Sequence, residues 1–142
     1  MPAEPLSDER TIPSRLPLIE EARQWLTAHS KAAGFDEEGV WEIELALTEA
    51  LANVIEHAYE RDPDCEIRLA VAIDDERLAI TITDFGRGFD ESAYAVPDLN
   101  VPRASGYGVH LIEQLMDEVV REASPGENRL SLVKYRKERP HG

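Results

Sequence analysis

Between Glu37 and Tyr59, the residues Glu49, Asn53 and His57 recur at intervals of four. On a helix each such step turns the side chain by about 40°, so the three form one stripe roughly 80° wide. A carboxylate and a carboxamide one turn apart can hold a water and a Mg²⁺ ion between them. The same stripe, shared with Glu42, Glu56 and Glu60, is also how an ordinary solvated helix face reads, and the helix alone leaves both readings open. A second group, Asp84-Phe85-Gly86-Arg87-Gly88-Phe89, directly follows an alternating apolar run. An aspartate that closes a strand can point its carboxylate into a pocket and accept the amino group of adenine. Guanine presents a carbonyl there and leaves the acceptor unpaired, at a cost of about 1.5–3 kcal/mol. Third, Ser105-Gly106-Tyr107-Gly108-Val109-His110-Leu111 precedes a helical pattern. Glycines at a helix start let backbone amides and the positive helix end approach phosphate.

Several better-known machines are excluded by what is missing around these groups. The letters Asp84-Phe85-Gly86 occur in eukaryotic protein kinases, but the chain has no His-Arg-Asp catalytic loop and is too short for that fold. A dinucleotide fingerprint would want a further glycine where Leu111 stands, and no Walker sequence with its lysine is present. His29, His110 and His141 form no metal-ligand spacing with Cys65, and His57 reads as a neighbour of the site, not a catalyst. A phosphoacceptor histidine on a helical module of its own is absent as well.

The elements that must position these groups follow from periodicity. A strand at Arg10-Thr11-Ile12 is followed by a helix from about Leu16 to Ala33, with Pro17 in its first turn and Gly34 as its stop. Asp36 is the expected N-cap of a long helix reaching about Tyr59, with Glu37 and Glu38 in its first turn. Its core face holds Ile43, Leu47, Ala50, Val54 and Ala58, and a second apolar edge holds Trp41, Leu45, Ala52 and Tyr59. Ile67, Leu69, Val71 and Ile73, then Leu78, Ile80 and Ile82, alternate as two strands of a hairpin around Asp74-Asp75-Glu76-Arg77. Asp84 to Ser105 has no period and reads as a long loop. A third helix from Gly108 turns Val109, Ile112, Leu115 and Met116 inward, and strands at Glu118 to Ala123 and Arg129 to Tyr135 close the chain around Ser124-Pro125-Gly126. The order predicts an α/β sandwich, a mostly antiparallel sheet with its helices on one face. A chain of 142 residues makes one such domain over residues 10–136, with a polar leader at 1–9 and a tail at 137–142.

Fifteen basic against twenty-nine acidic side chains give a net charge of −14. That field repels polyanions and anionic lipid, so neither nucleic acid nor a membrane is an expected direct partner. If a nucleotide binds, backbone amides and a metal must meet its phosphates. One cysteine excludes an internal disulfide, and Met1 to Arg10 lacks the basic and apolar regions of a signal peptide. With no long apolar run, a cytoplasmic protein is expected.

Taken together and in this order, Glu49-x-x-x-Asn53, Asp84-x-Gly86-x-Gly88-Phe89 and Gly106-x-Gly108-Val109-x-Leu111-Ile112 resemble the N, G1 and G2 boxes of the GHKL (Bergerat) ATP-binding superfamily. Within it the chain is similar to the bacterial anti-sigma factor serine kinases, from about Thr11 to Lys134. The runs Glu49 to Tyr59 and Leu111 to Val119 carry that similarity furthest.

This resemblance implies an ATP-dependent protein-serine kinase that phosphorylates a STAS-domain anti-anti-sigma factor and sequesters a sigma factor. Glu49 would be the general base and Asn53 a Mg²⁺ ligand. Asp84 would read the adenine, Gly86 and Gly88 would let backbone approach the base, and Gly106 and Gly108, with Tyr107 and Val109 beside them, would cradle the phosphates. Arg103 stands in the region where the family commonly carries an arginine to the terminal phosphate, and its register beside Ala104 leaves that contact open. The family's closing strand often begins Gly-Thr-Thr, whereas this chain reads Gly126-Glu127-Asn128-Arg129 and loses hydroxyls near the nucleotide. Members often form homodimers, though the sequence leaves the oligomeric state open. A rival reading from another class is a nucleotide-gated module that captures a partner without phosphorylating it.

Overall fold

Alternation of side chains along three central strands decides the architecture, because it gives the sheet one face that must be covered. The computed structural model describes residues 6–60, 62–86 and 111–136. Strand β1 (Leu6–Pro13) leads into α1 (Pro17–Ala32) and α2 (Glu37–Asn53), and a single π-helical turn, Val54–Ala58, continues α2. Strands β2 (Glu66–Ile73), β3 (Arg77–Asp84), β4 (Glu118–Ser124) and β5 (Glu127–Tyr135) complete a five-stranded sheet in the order β1-β2-β3-β5-β4. All four pairings are antiparallel. The expected α/β sandwich is thus found, with β1 longer than the three residues anticipated.

Ile67, Leu69, Val71, Leu78, Ile80, Ile82 and Leu132 of the sheet meet Leu26 of α1 and Ile43, Leu47 and Leu51 of α2, all at most 1% exposed. Each such side chain contributes about 1.5–3 kcal/mol by leaving water. Residues 111–115 are helical, and Ile112, Leu115 and Met116 join this core as their spacing predicted. Asp36 caps α2 by accepting the Gly39 N–H at 2.8 Å, and Gly34, at φ 91°, ends the turn after α1 where a side chain would strain. No described helix is long and apolar enough to cross a membrane.

One expectation fails at the end of α2. The helical segment runs to Ala58, close to the end expected near Tyr59, but Tyr59 does not share an edge with Trp41. Instead the Tyr59 N–H bonds to the Val54 carbonyl, five residues back, at 3.0 Å. A turn of that kind inserts about one extra residue and retards the helix by about 100°. Trp41 therefore stays 55% exposed, while Tyr59 is swung into the core at 7%.

Candidate functional site

The candidate site lies where the π turn that continues α2 meets the end of β3. Asn53 is the last α-helical residue of α2, one turn beyond Glu49, so the regular part of the stripe holds these two and His57 falls in the π turn. Glu49 is half-buried and Asn53 is 7% exposed. Among the described residues, nothing pairs with either the Glu49 carboxylate or the Asn53 carboxamide.

The parity of β3 places the third group. Leu78, Ile80 and Ile82 face the helices, and Asp84 continues that series, so its carboxylate is carried to the helix side and is 2% exposed. Oδ1 accepts from the Gly86 N–H at 3.1 Å and from Nδ2 of Asn128 at 2.8 Å. Among the described residues, none donates to Oδ2. Burial pushes the Asp84 carboxyl above its ordinary range, and the bonds from Asn128 and the Gly86 N–H act against that shift.

Two contacts bind the β3 end to the helix end. The Tyr59 hydroxyl donates to the Glu66 carbonyl and accepts the Phe85 N–H at 2.7 Å, so one buried phenol ties β2, the residue after β3 and the π turn together. Gly86 lies so close to the turn that a Cβ would sit 2.3 Å from the Ala58 carbonyl oxygen and 3.0 Å from Cδ1 of Tyr59. Glycine is thus demanded here by helix–strand contact, in addition to any approach of backbone to a base. A shallow depression of about 420 Å³ beside Ala58, Tyr59, Cys65 and Gly86 includes neither Asn53 nor Asp84 in its wall; it is the outside of that contact.

Of the residues expected from sequence, Glu49 and Asn53 stand one turn apart on α2, and Asp84 and Gly86 stand at the end of β3, where Gly86 seats against the π turn that continues α2. Gly88, Arg103, Gly106, Tyr107, Gly108 and Val109 lie outside the described residues, as do His110 and His141. His29 is taken up by Asp8, whose Oδ2 meets Nε2 at 2.8 Å. No group of three His, Cys, Asp or Glu suited to a metal occurs among the described residues.

Two contributors went unassigned in the sequence. Tyr59 falls on the second apolar edge with Trp41 in the sequence pattern, because a π turn leaves no trace in a 3.6-residue period. Asn128 was read only as a lost hydroxyl, although it is in phase with Leu130 and Leu132 and so belonged to the buried side of β5.

The chain matches the model of the histidine kinase-like ATPase domain over residues 12–134. It is 30% identical over 116 residues to the serine-protein kinase RsbW of Listeria monocytogenes serotype 4a (strain HCC23), covering 76% of this chain and 74% of the relative. It is likewise 30% identical over 136 residues to the serine-protein kinase RsbW of Staphylococcus epidermidis, covering 89% and 85% of the two. Among solved structures, that of the RsbU and RsbW domains of Rv1364c from Mycobacterium tuberculosis superposes with a TM-score of 0.69 at 20% identity. That match covers 96% of this chain and 34% of the larger one, so the chain spans about a third of that solved protein.

Proposed function

This chain belongs to the histidine kinase-like ATPase domain family, and from that premise, with serine-protein kinases among its relatives, we propose that it is an ATP-dependent protein-serine kinase acting as an anti-sigma factor. Its substrate is a serine on a STAS-domain anti-anti-sigma factor, its second partner a sigma factor, and its place the cytoplasm. The observation that supports the reading is the buried Asp84 carboxylate, with no donor on Oδ2 among the described residues, at a strand end that packs through Gly86 on the π turn continuing α2.

Asp84 accepts the amino group of adenine through Oδ2. Asn53 is the residue that would hold Mg²⁺ through its side-chain oxygen, and the ion would supply charge neutralisation to the phosphates. Glu49, one turn away and unpaired among described residues, takes the proton of the serine hydroxyl as its oxygen bonds to the terminal phosphorus and the bond to the β-phosphate oxygen breaks, releasing ADP. By the family resemblance Gly106 and Gly108 would offer the phosphates backbone N–H groups, and Arg103 is the candidate for the terminal phosphate.

Mass spectrometry of a STAS-domain partner after incubation with Mg-ATP tests this. A serine gain of one phosphoryl group is expected with the wild type and none with Glu49→Ala, while calorimetry finds ATP binding retained in that variant. Binding without transfer in the wild type would leave the nucleotide-gated capture module. Loss of ATP binding in Glu49→Ala would remove Glu49 from the role of base.

A further inference from the structure

Asp84 and Asn128 stand directly opposite each other in the β3–β5 register, and the parity of both strands sends both side chains to the helix side. Opposite residues of antiparallel strands have Cβ atoms about 4.5–5.5 Å apart, close enough for a short amide to reach a short carboxylate. Asn128 is 1% exposed, and its Nδ2 lies 2.8 Å from Oδ1 of Asp84 and 3.5 Å from the Gly86 carbonyl. The Gly86 N–H falls on that same Oδ1. Both donors therefore converge on one carboxylate oxygen, and they come from two different strands' ends.

An aspartate's terminal torsion is broad and nearly two-fold, so a carboxylate without such contacts presents either oxygen, in many orientations, to a ligand. A pair of donors on Oδ1 fixes the plane of the group and leaves Oδ2 as an acceptor with no donor among the described residues. We propose that Asn128 is the positioning residue for base recognition: by holding Oδ1 it aims Oδ2 at the 6-amino group of a purine, and so makes the site selective for 6-aminopurine nucleotides. This rests on the adenine-reading role given to Asp84 above. Asn128 acts through Asp84 and needs no contact with the ligand.

The test separates aiming from mere support of the fold. Calorimetry on the full chain compares ATP with purine riboside 5′-triphosphate, which has hydrogen in place of the 6-amino group. Wild type binds ATP more tightly than the analogue. Asn128→Ala is expected to weaken ATP by about tenfold, in line with loss of a hydrogen bond to a charged group, while its affinity for the analogue is unchanged. The isosteric pair Asn128→Thr, which can still donate to Oδ1, and Asn128→Val, which cannot, gives the same comparison if the alanine variant unfolds; only threonine should keep the preference. Equal weakening of both nucleotides, or of neither, overturns the positioning role while leaving Asp84 as the reader of the base. A wild type that binds both nucleotides equally overturns the reading of Asp84 itself, and this inference with it.

Discussion

Asp84 is a residue whose location works against the stability of the chain. Its carboxyl is pushed up by burial, so the unfolded state loses its proton first as pH rises. Stability should therefore fall as pH climbs from the ordinary carboxylate value towards the raised one. Urea titrations across this range on wild type and Asp84→Asn should show that slope shrinking in the variant, which should at the same time bind ATP poorly. An unchanged slope would mean that the buried carboxyl does not titrate as its surroundings require. Gly86 makes a second residue-scale prediction. Because an added Cβ meets the Ala58 backbone carbonyl at 2.3 Å, Gly86→Ala must push the β3 end away from the π turn. A loss of about 1–3 kcal/mol is expected from such overpacking, read by denaturant midpoints, with weaker ATP binding alongside. Asp84 and Gly86 could be singled out in the sequence by type and spacing. The reason for Gly86 could not, since Ala58 is remote along the chain.

At the scale of elements, the π turn and the β5 end do the positioning. The π turn rotates Tyr59 inward, and its hydroxyl then satisfies the Phe85 N–H just where the sheet hydrogen bonding stops. At the other end of β5, Lys134 is 8% exposed, a rare place for a lysine. Its Nζ donates to the Leu115 carbonyl at 2.6 Å and pairs with Glu42 of α2 at 3.2 Å. A cation there satisfies a carbonyl at the C-terminal end of the 111–115 helix and ties that helix to α2. Lys134→Met should cost about 1–3 kcal/mol, chiefly through the carboxylate and carbonyl left behind. Glu42→Gln in that background should restore part of the loss, and a double-mutant cycle by urea denaturation would measure the coupling. Independent, additive effects would remove this link between the two helices.

For the whole molecule, a net charge of −14 on 142 residues repels itself in the compact state. Raising KCl from about 0.02 to 0.5 M shortens the screening length several-fold, so the thermal midpoint should rise with salt. A midpoint that falls would show local ion pairs outweighing the net field. Those visible here are mostly exposed, such as Arg15–Asp64 and Arg68–Glu66, and such pairs contribute little. The same field makes partner capture salt-sensitive if basic surfaces of a sigma factor are what it meets. Association measured across this range should then weaken as KCl is added.

The sequence alone determined the element order, the hairpin, the cap at Asp36 and the side of the sheet each strand residue faces, because periods of 2.0 and 3.6 residues are local properties of the backbone. It also supplied Glu49, Asn53 and Asp84 as candidates, through residue type and spacing. Only the tertiary structure decided that β5, not β4, lies beside β3, and so that Asn128 holds Asp84. It likewise decided that the helix slips by a residue at Val54–Ala58 and that Gly86 seats on Ala58. Strand neighbours far apart in the chain are selected by how the whole hydrophobic face is covered, a sum over many side chains that no local pattern records.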